Sequence, residues 1–313
     1  MEHALGIDVG GTSIKAGLLT CEGDLVDQAS VRTPALMDAD AYAVVTDALR
    51  ALVEKNGGTV ADVVALGLDI PGPVAADGSV GFVPNASIDA AGLEGAVTAA
   101  FPSATVAFVN DANAAALGEM WKGGARGVDN FVLIAIGTGV GAGVVIDGRV
   151  VAGAFGSGGE IGHLTVNRSE PRACGCGRHG CLEQYASAKG IVSSYLMECE
   201  ARGVEPVPVE HATDSLSVFR AMERGDECAK AAVGLMCDSL GLAMALVGCV
   251  VDPDLFLVGG GVGGSLPLYG DELRARYDEN ALPNCRGARI EPASLGNAAA
   301  MYGSAYEALR LRG

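Results

Sequence analysis

The 313-residue chain is too long for one minimal core and fits two associated α/β lobes or one large domain. Half its residues are hydrophobic and 19% are charged, but each long apolar stretch is broken by Gly, Pro or a charge, so no membrane role is expected. A net charge of -17, spread along the chain, repels polyanions and argues against nucleic acid as a partner.

Met1-Glu2-His3 leads straight into a strand-like segment without the basic region and apolar block of a signal peptide, which reads as a cytoplasmic chain. Strands are predicted over 3–9, 14–20 and 24–31, joined by turns at Gly10-Gly11-Thr12 and Cys21-Glu22-Gly23-Asp24, as an antiparallel meander. A helical period over 38–55 stops at Asn56-Gly57-Gly58, and 63–70 reads as a buried strand ending at Pro71-Gly72-Pro73. A strand over 106–109 ends at Asn110-Asp111 and hands over to a helix of small residues over 112–121.

The second half opens as the first does, with a strand over 131–136, the turn Gly137-Thr138-Gly139 and a strand over 141–146 closed by Asp147-Gly148. A Gly-Thr turn between hydrophobic strands in both halves predicts a duplicated meander rather than two unrelated domains. Residues 182–250 read as mostly helical, with a Pro-containing break near 205–208. A last buried strand over 255–258 runs into Gly259-Gly260-Gly261, and 297–310 reads as a closing helix.

Asp8 stands at a strand end, followed by Gly10 and Gly11, whose N–H groups can approach an anion, then by the Thr12 hydroxyl and the Lys15 cation. Alone this is also an ordinary glycine hairpin, but Gly137, Thr138 and Gly139 repeat it, as two hairpins gripping a polyphosphate across a cleft would. Neither turn has the Gly-Lys-Ser/Thr of a P-loop. Gly137 to Ala142 and Gly259 to Gly264 match dinucleotide glycine patterns, yet the first runs into a strand and the second has no complete βαβ unit behind it. Asp111, at a strand-to-helix junction, reads either as a helix N-cap or as a base that accepts the proton of an attacking hydroxyl.

Nine cysteines, an odd count in a chain of this size, point to thiols and metal rather than to a disulfide scaffold. His163 with Cys174, Cys176 and Cys181 offers a Cys3His set for tetrahedral zinc, with His179 as an alternative imidazole. Four protein ligands leave no position for water, so such an ion is structural. Glu160 and Glu183 bracket the loop, where the metal could aim both.

In order and spacing these motifs resemble the ROK family of bacterial sugar kinases, repressors and open reading frames. The resemblance is carried by Asp8-x-Gly10-Gly11-Thr12 with Lys15, Asp69-Ile70-Pro71-Gly72-Pro73, Pro84-Asn85 and Asn110-Asp111-Ala112-Asn113. It continues through Gly137-Thr138-Gly139, Gly159-Glu160-Ile161-Gly162-His163, the cysteine loop with Leu182-Glu183, and Gly259-Gly260-Gly261. It implies an α/β, actin-like and Hsp70-like ATPase (ribonuclease H-like) fold with two lobes around a cleft: residues 1–112 with 298–313, and 113–297 carrying the zinc loop.

It also implies an ATP-dependent hexose kinase resembling the glucokinases, with Asp111 as base and Asn85, Asn110, Asp111, Glu160, His163 and Glu183 on the sugar hydroxyls. The turns at Gly10 to Thr12 and Gly137 to Gly139 would take the ATP phosphates, Asp8 would hold hydrated Mg2+ through water, and Gly259, Gly260 and Gly261 would approach the adenosine. His163 would serve zinc with one nitrogen and sugar with the other, in a chain that forms dimers or tetramers. Asn85 is followed by Ala86-Ser87-Ile88 rather than the hydrophobic or aromatic continuation of many glucokinases, which leaves other hexoses and N-acetylhexosamines open. The repressors of the family add a DNA-binding domain, for which no room is expected ahead of Asp8.

Overall fold

A computed structural model describes residues 1–81 and 87–313, so the Pro84-Asn85 motif lies outside the described residues. β1 (His3–Val9), β2 (Ser13–Thr20) and β3 (Leu25–Arg32) form the expected antiparallel meander. α1 (Ala39–Lys55) starts where the Asp38 carboxylate accepts the Ala41 N–H at 2.9 Å, and buries Val45, Leu49, Leu52 and Val53 at helical spacing. β4 (Val63–Ile70) follows, then α2 (Ala90–Ala100) and β5 (Thr105–Asn110). Both strands run parallel to β1 in a sheet ordered β3-β2-β1-β4-β5.

After α3 (Asp111–Lys122), the chain repeats this connectivity. β6 (Phe131–Ile136), β7 (Val140–Ile146) and β8 (Arg149–Val150) form a second antiparallel meander. A helical block follows: α4 (Glu183–Ala186), α5 (Ala188–Arg202), α6 (Ser215–Glu223) and α7 (Glu227–Val251). β9 (Leu255–Gly259), α8 (Gly260–Gly263), α9 (Leu266–Asn280) and β10 (Arg289–Pro292) complete a sheet ordered β8-β7-β6-β9-β10, with the last two strands again parallel. The same topology twice is the predicted duplication, and it places each Gly-Thr turn after the first strand of its sheet.

Five elements depart from the sequence reading, two of them the short β8 and α8. α2, α9 and β10 were not expected, so β9 is not the last strand and the Gly259 segment does open a parallel β9–α9–β10 crossover. α2 is Ala- and Gly-rich with only Leu93 and Val97 as large buried residues, and β10 is a four-residue edge strand with charged Arg289 and Glu291, so neither offers a clear period. α7 is long and apolar enough by length and composition to cross a membrane, despite Asp238 and its glycines. Its Val233, Met236, Leu240 and Met244 are instead buried in the core around α5, α6 and α9.

α10 (Ala299–Arg312) lies against β1, β4 and β5 and also packs on α3. It reaches the sheet because Gly6 and Gly67, paired neighbours on β1 and β4, have no Cβ; one on either would overlap the Met301 or Ser304 carbonyl. Two residues further along that face stand Asp8 and Asp69, so the stripe of small residues that seats the helix ends in two carboxyl groups.

Candidate active site

The junction of β5 and α3 settles which residue caps the helix. Asn110 Oδ1 accepts the N–H groups of Ala112 and Asn113, each at 3.1 Å, while its amide donates to the Gly72 carbonyl at 3.1 Å. The cap is therefore Asn110, and the N-cap reading of Asp111 gives way: Asp111 is the first helical residue. Both hydrogen bonds to Asp111, from Ala112 N–H at 2.8 Å and the Asn110 amide at 3.0 Å, fall on Oδ1, and Oδ2 accepts none among the described residues. The carboxylate is reachable by solvent yet crowded by protein. Burial pushes its pKa up against the pull of the Ala112 N–H, with the Asp8 and Glu160 carboxylates adding to the rise.

The first glycine turn is pinned from β3's end, where Thr33 N–H donates to the Thr12 carbonyl at 3.1 Å and the Thr33 hydroxyl to the Gly10 carbonyl at 2.6 Å. Lys15 does not point at this turn; its Nζ lies 3.2 Å from Asp8 Oδ2, its register partner on the next strand. Asp69 is the functional candidate that the sequence reading passed over. It is fully buried, its oxygens accept no hydrogen bond among the described residues, and burial, then Asp8 and Asp111, push its carboxyl well above the usual range. The available signal was a single carboxylate in the otherwise apolar strand Val63–Ile70.

The second turn is braced differently. Ala188 N–H, in the first turn of α5, donates to the Gly137 carbonyl at 2.9 Å, and Val140 N–H donates to Glu183 Oε2 at 3.2 Å. Glu183 thus links this turn to the cysteine loop, since its other oxygen lies 3.8 Å from Cys174 Sγ. Thr12 and Thr138 are both exposed at the turn tips.

His163, Cys174, Cys176 and Cys181 bring their ligand atoms within 4.8 Å of one another, whereas His179 is exposed and outside the group. Cys176 and Cys181 sulfurs are 3.6 Å apart, and Cys174 Sγ is 3.6 Å from His163 Nδ1. Tetrahedral zinc with Zn–S near 2.3 Å has edges of about 3.5 to 3.8 Å, so the donors fit the ion in number, type and spacing. His163 turns its Nε2 the other way, 4.0 Å from Glu160 Oε2. The loop is anchored by Glu170, which Arg172 grips through Nε and Nη2 at 2.9 and 2.8 Å; that contact pulls the Glu170 carboxyl down to about 2.

Gly260 adopts φ of +75°, and a Cβ there would overlap the Ile136 carbonyl, so the triglycine segment lies directly on the end of β6. Beside it, Leu133, Ala135, Gly263, Pro267, Ala293 and Gly296 help line a cavity of about 340 Å³. Glu119 on α3, also at this cavity, is wholly buried and accepts from Gly124 N–H at 2.7 Å, Ser294 N–H at 2.9 Å, the Ser294 hydroxyl at 3.0 Å and Leu295 N–H at 2.7 Å. The sequence reading missed it, because a carboxylate in a helix normally reads as a solvated face.

A sheet topology repeated twice, with a glycine turn after each first strand and carboxylates collected where the repeats join, defines the actin-like ATPase class with two lobes around a cleft. The ROK family model matches residues 4–310. The chain belongs to the ROK family. It is 33% identical to a glucokinase of Halalkalibacterium halodurans, over 96% of this chain and 93% of that protein. It is 31% identical to an N-acetyl-D-glucosamine kinase of Escherichia coli, over 96% and 97% of the two chains. A ROK family glucokinase from Streptomyces griseus, solved with glucose and AMPPNP, superimposes with a TM-score of 0.77 at 30% identity, covering 98% of this chain and 99% of that one.

Proposed function

We propose that the protein is an ATP-dependent hexose kinase that transfers the γ-phosphoryl group to the 6-hydroxyl of glucose, with Asp111 as general base. The observation that carries this reading is the Asp111 carboxylate, relieved of capping by Asn110 and set among Asp8 and Glu160. In this reading Asn110, Glu160, His163 and Glu183, with Asn85, orient the sugar so that Asp111 takes the hydroxyl proton as the oxygen attacks phosphorus in line. Gly10, Gly11, Thr12, Gly137, Thr138 and Gly139 hold the phosphates, with Lys15 acting through Asp8, and Gly259, Gly260 and Gly261 border the adenosine. Mg2+, when bound, neutralises phosphate charge, and Asp8 would face it through water.

Zinc, when bound, would fix the loop so that His163 Nε2 meets the sugar; it is structural in this reading. The lobes would be residues 1–112 with 298–313, and 113–297, in a cytoplasmic dimer or tetramer. A second reading, an N-acylhexosamine kinase, is supported by the 31% identity to the N-acetyl-D-glucosamine kinase. A coupled assay over glucose, mannose, fructose, N-acetylglucosamine and N-acetylmannosamine decides between them: the highest kcat/KM on glucose is expected, and a preference for an acylated sugar selects the second reading. ATP consumption unaffected by any of these sugars would reject both.

A further inference from the structure

The first glycine turn is held on one side and bare on the other. Thr33, the first residue after β3, extends the β2–β3 ladder by one step, its N–H donating to the Thr12 carbonyl at 3.1 Å. Its hydroxyl donates to the Gly10 carbonyl at 2.6 Å. Three constraints fix that hydroxyl. The β-branched side chain is stiff at χ1, and Pro34 restricts the backbone of the residue before it to extended conformations. Just beyond, Leu36 is wholly buried; its N–H donates to the Ser87 carbonyl at 2.9 Å and its carbonyl accepts the Asp89 N–H at 2.7 Å.

What the hydroxyl holds in place is a peptide plane. The Gly10–Gly11 peptide is trans, so its carbonyl and its N–H point in opposite directions. With the Gly10 carbonyl tied to Thr33, the Gly11 N–H faces away from it. That N–H has no acceptor among the described residues, Gly11 is exposed, and a Cβ built on it would meet nothing within 4 Å. Because neither flanking residue carries a Cβ, the plane has little intrinsic resistance to a flip. A flip would present the Gly10 carbonyl, a partial negative charge, where the N–H now stands.

We propose that Thr33 is a positioning residue for the donor phosphates: its hydroxyl locks the Gly10–Gly11 peptide so that the turn offers an anion a hydrogen-bond donor rather than an acceptor. It acts through this peptide, on the phosphates and not on the sugar. The proposal rests on the kinase reading above, which assigns ATP phosphates to this turn.

The test compares Thr33→Val, which keeps the shape and the N–H but has no hydroxyl, with Thr33→Ser, which keeps the hydroxyl. AMPPNP and adenosine affinities by calorimetry in the presence of Mg2+, and KM for ATP and for hexose, are measured on each, with thermal unfolding as a check on the fold. Thr33→Val should weaken AMPPNP and raise the ATP KM by about tenfold, with adenosine affinity and hexose KM within about twofold of wild type. Thr33→Ser should hold AMPPNP affinity within about threefold of wild type. A Thr33→Val protein that melts earlier yet binds AMPPNP as wild type does would reduce Thr33 to a contact of the fold. Equal loss in both variants would make the methyl group responsible, and equal loss of adenosine and AMPPNP would move the effect off the phosphates; each of these results overturns the proposal. If Thr33→Val does not fold, Thr33→Ala, which also lacks the hydroxyl, is held to the same expectation. Wild-type protein that neither phosphorylates a hexose nor binds AMPPNP would overturn the kinase reading and this proposal with it, whereas an active wild type with an unaffected Thr33→Val overturns this proposal alone.

Discussion

Replacing Glu119 by Ala tests whether a buried carboxylate joins α3 to the cavity wall. The side chain takes four hydrogen bonds, three from backbone N–H groups of Gly124, Ser294 and Leu295 and one from the Ser294 hydroxyl. Truncation leaves all four donors without this acceptor, which is itself fully buried although Gly124 and Ser294 are exposed residues, so the lower end of the usual cost applies. At about 1 kcal/mol for each donor left unsatisfied, the lower end of the usual range, the loss is about 4 kcal/mol, a large share of a typical stability of about 5 to 15 kcal/mol. At roughly 2 °C per kcal/mol for a chain of this size, Tm should fall by roughly 8 °C. Glu119→Gln should fall between, because its amide presents hydrogens to N–H groups that need an acceptor. Urea and thermal unfolding measure both variants; an Ala variant within about 1 kcal/mol of wild type would show that the four contacts are not a joint, and the reasoning would fail.

Asp111→Asn should lower kcat by about 10²- to 10⁴-fold while leaving hexose affinity by calorimetry within a few-fold, and near-normal turnover would remove Asp111 as base. In the proposed mechanism the Asp111 anion is the base, and since burial, then Asp8 and Glu160, raise its pKa, hexose kcat/KM should fall with falling pH earlier than an ordinary carboxylate, near 3.9, would cause; a rate profile flat down to that value contradicts this. Purified protein should contain about one zinc per chain by elemental analysis, and Cys181→Ser should lose it together with hexose affinity while AMPPNP binding persists. Glu170 has a folded pKa near 2 against an ordinary 4.5, so its stabilisation is complete above about 4.5 and is lost as pH falls toward 2; Glu170→Gln should flatten the stability profile in that window, as urea titrations at several pH values would show.

The repeated meander was legible because hydrophobic alternation and glycine turns are local signals: strands that bury one or both faces announce their period, and Gly10 to Thr12 and Gly137 to Gly139 announce their turns. The Cys3His group was equally legible, since its donors lie within 19 consecutive positions, 163–181. What did not show was whatever depends on the third dimension. Asp69 and Glu119 look like ordinary acids until β4 is seen to be buried on both faces and α3 is seen to meet a loop 175 residues away. α2 is held chiefly by packing on α1 and β10 by pairing with β9, so neither carries a hydrophobic period of its own. That Asn110 and not Asp111 caps α3 follows from where the backbone turns helical, a boundary that no spacing rule fixes to one residue.

The helices α3 and α10 explain why Asp111 stands where it does. α3 packs on β6 and β7 of the second sheet, α10 on β1, β4 and β5 of the first, and the two meet through Gly118 and Gly303, where a Cβ would overlap the Ala299 or Ala114 carbonyl. Contact this close leaves little room for the helices to separate, so a rotation of one sheet against the other would have to slide along or pivot about this pair. Asp111 follows the last residue of β5 directly and opens α3, the helix that carries Gly118, so it would lie near such a pivot. The glycine turns, at the far ends of β1 and β6, would sweep further. A carboxylate held nearly still while the groups around it move suits the base of the proposed transfer between two separately bound molecules: its geometry toward the acceptor would be set before the cleft shuts, and closing the cleft would bring in the donor and remove water.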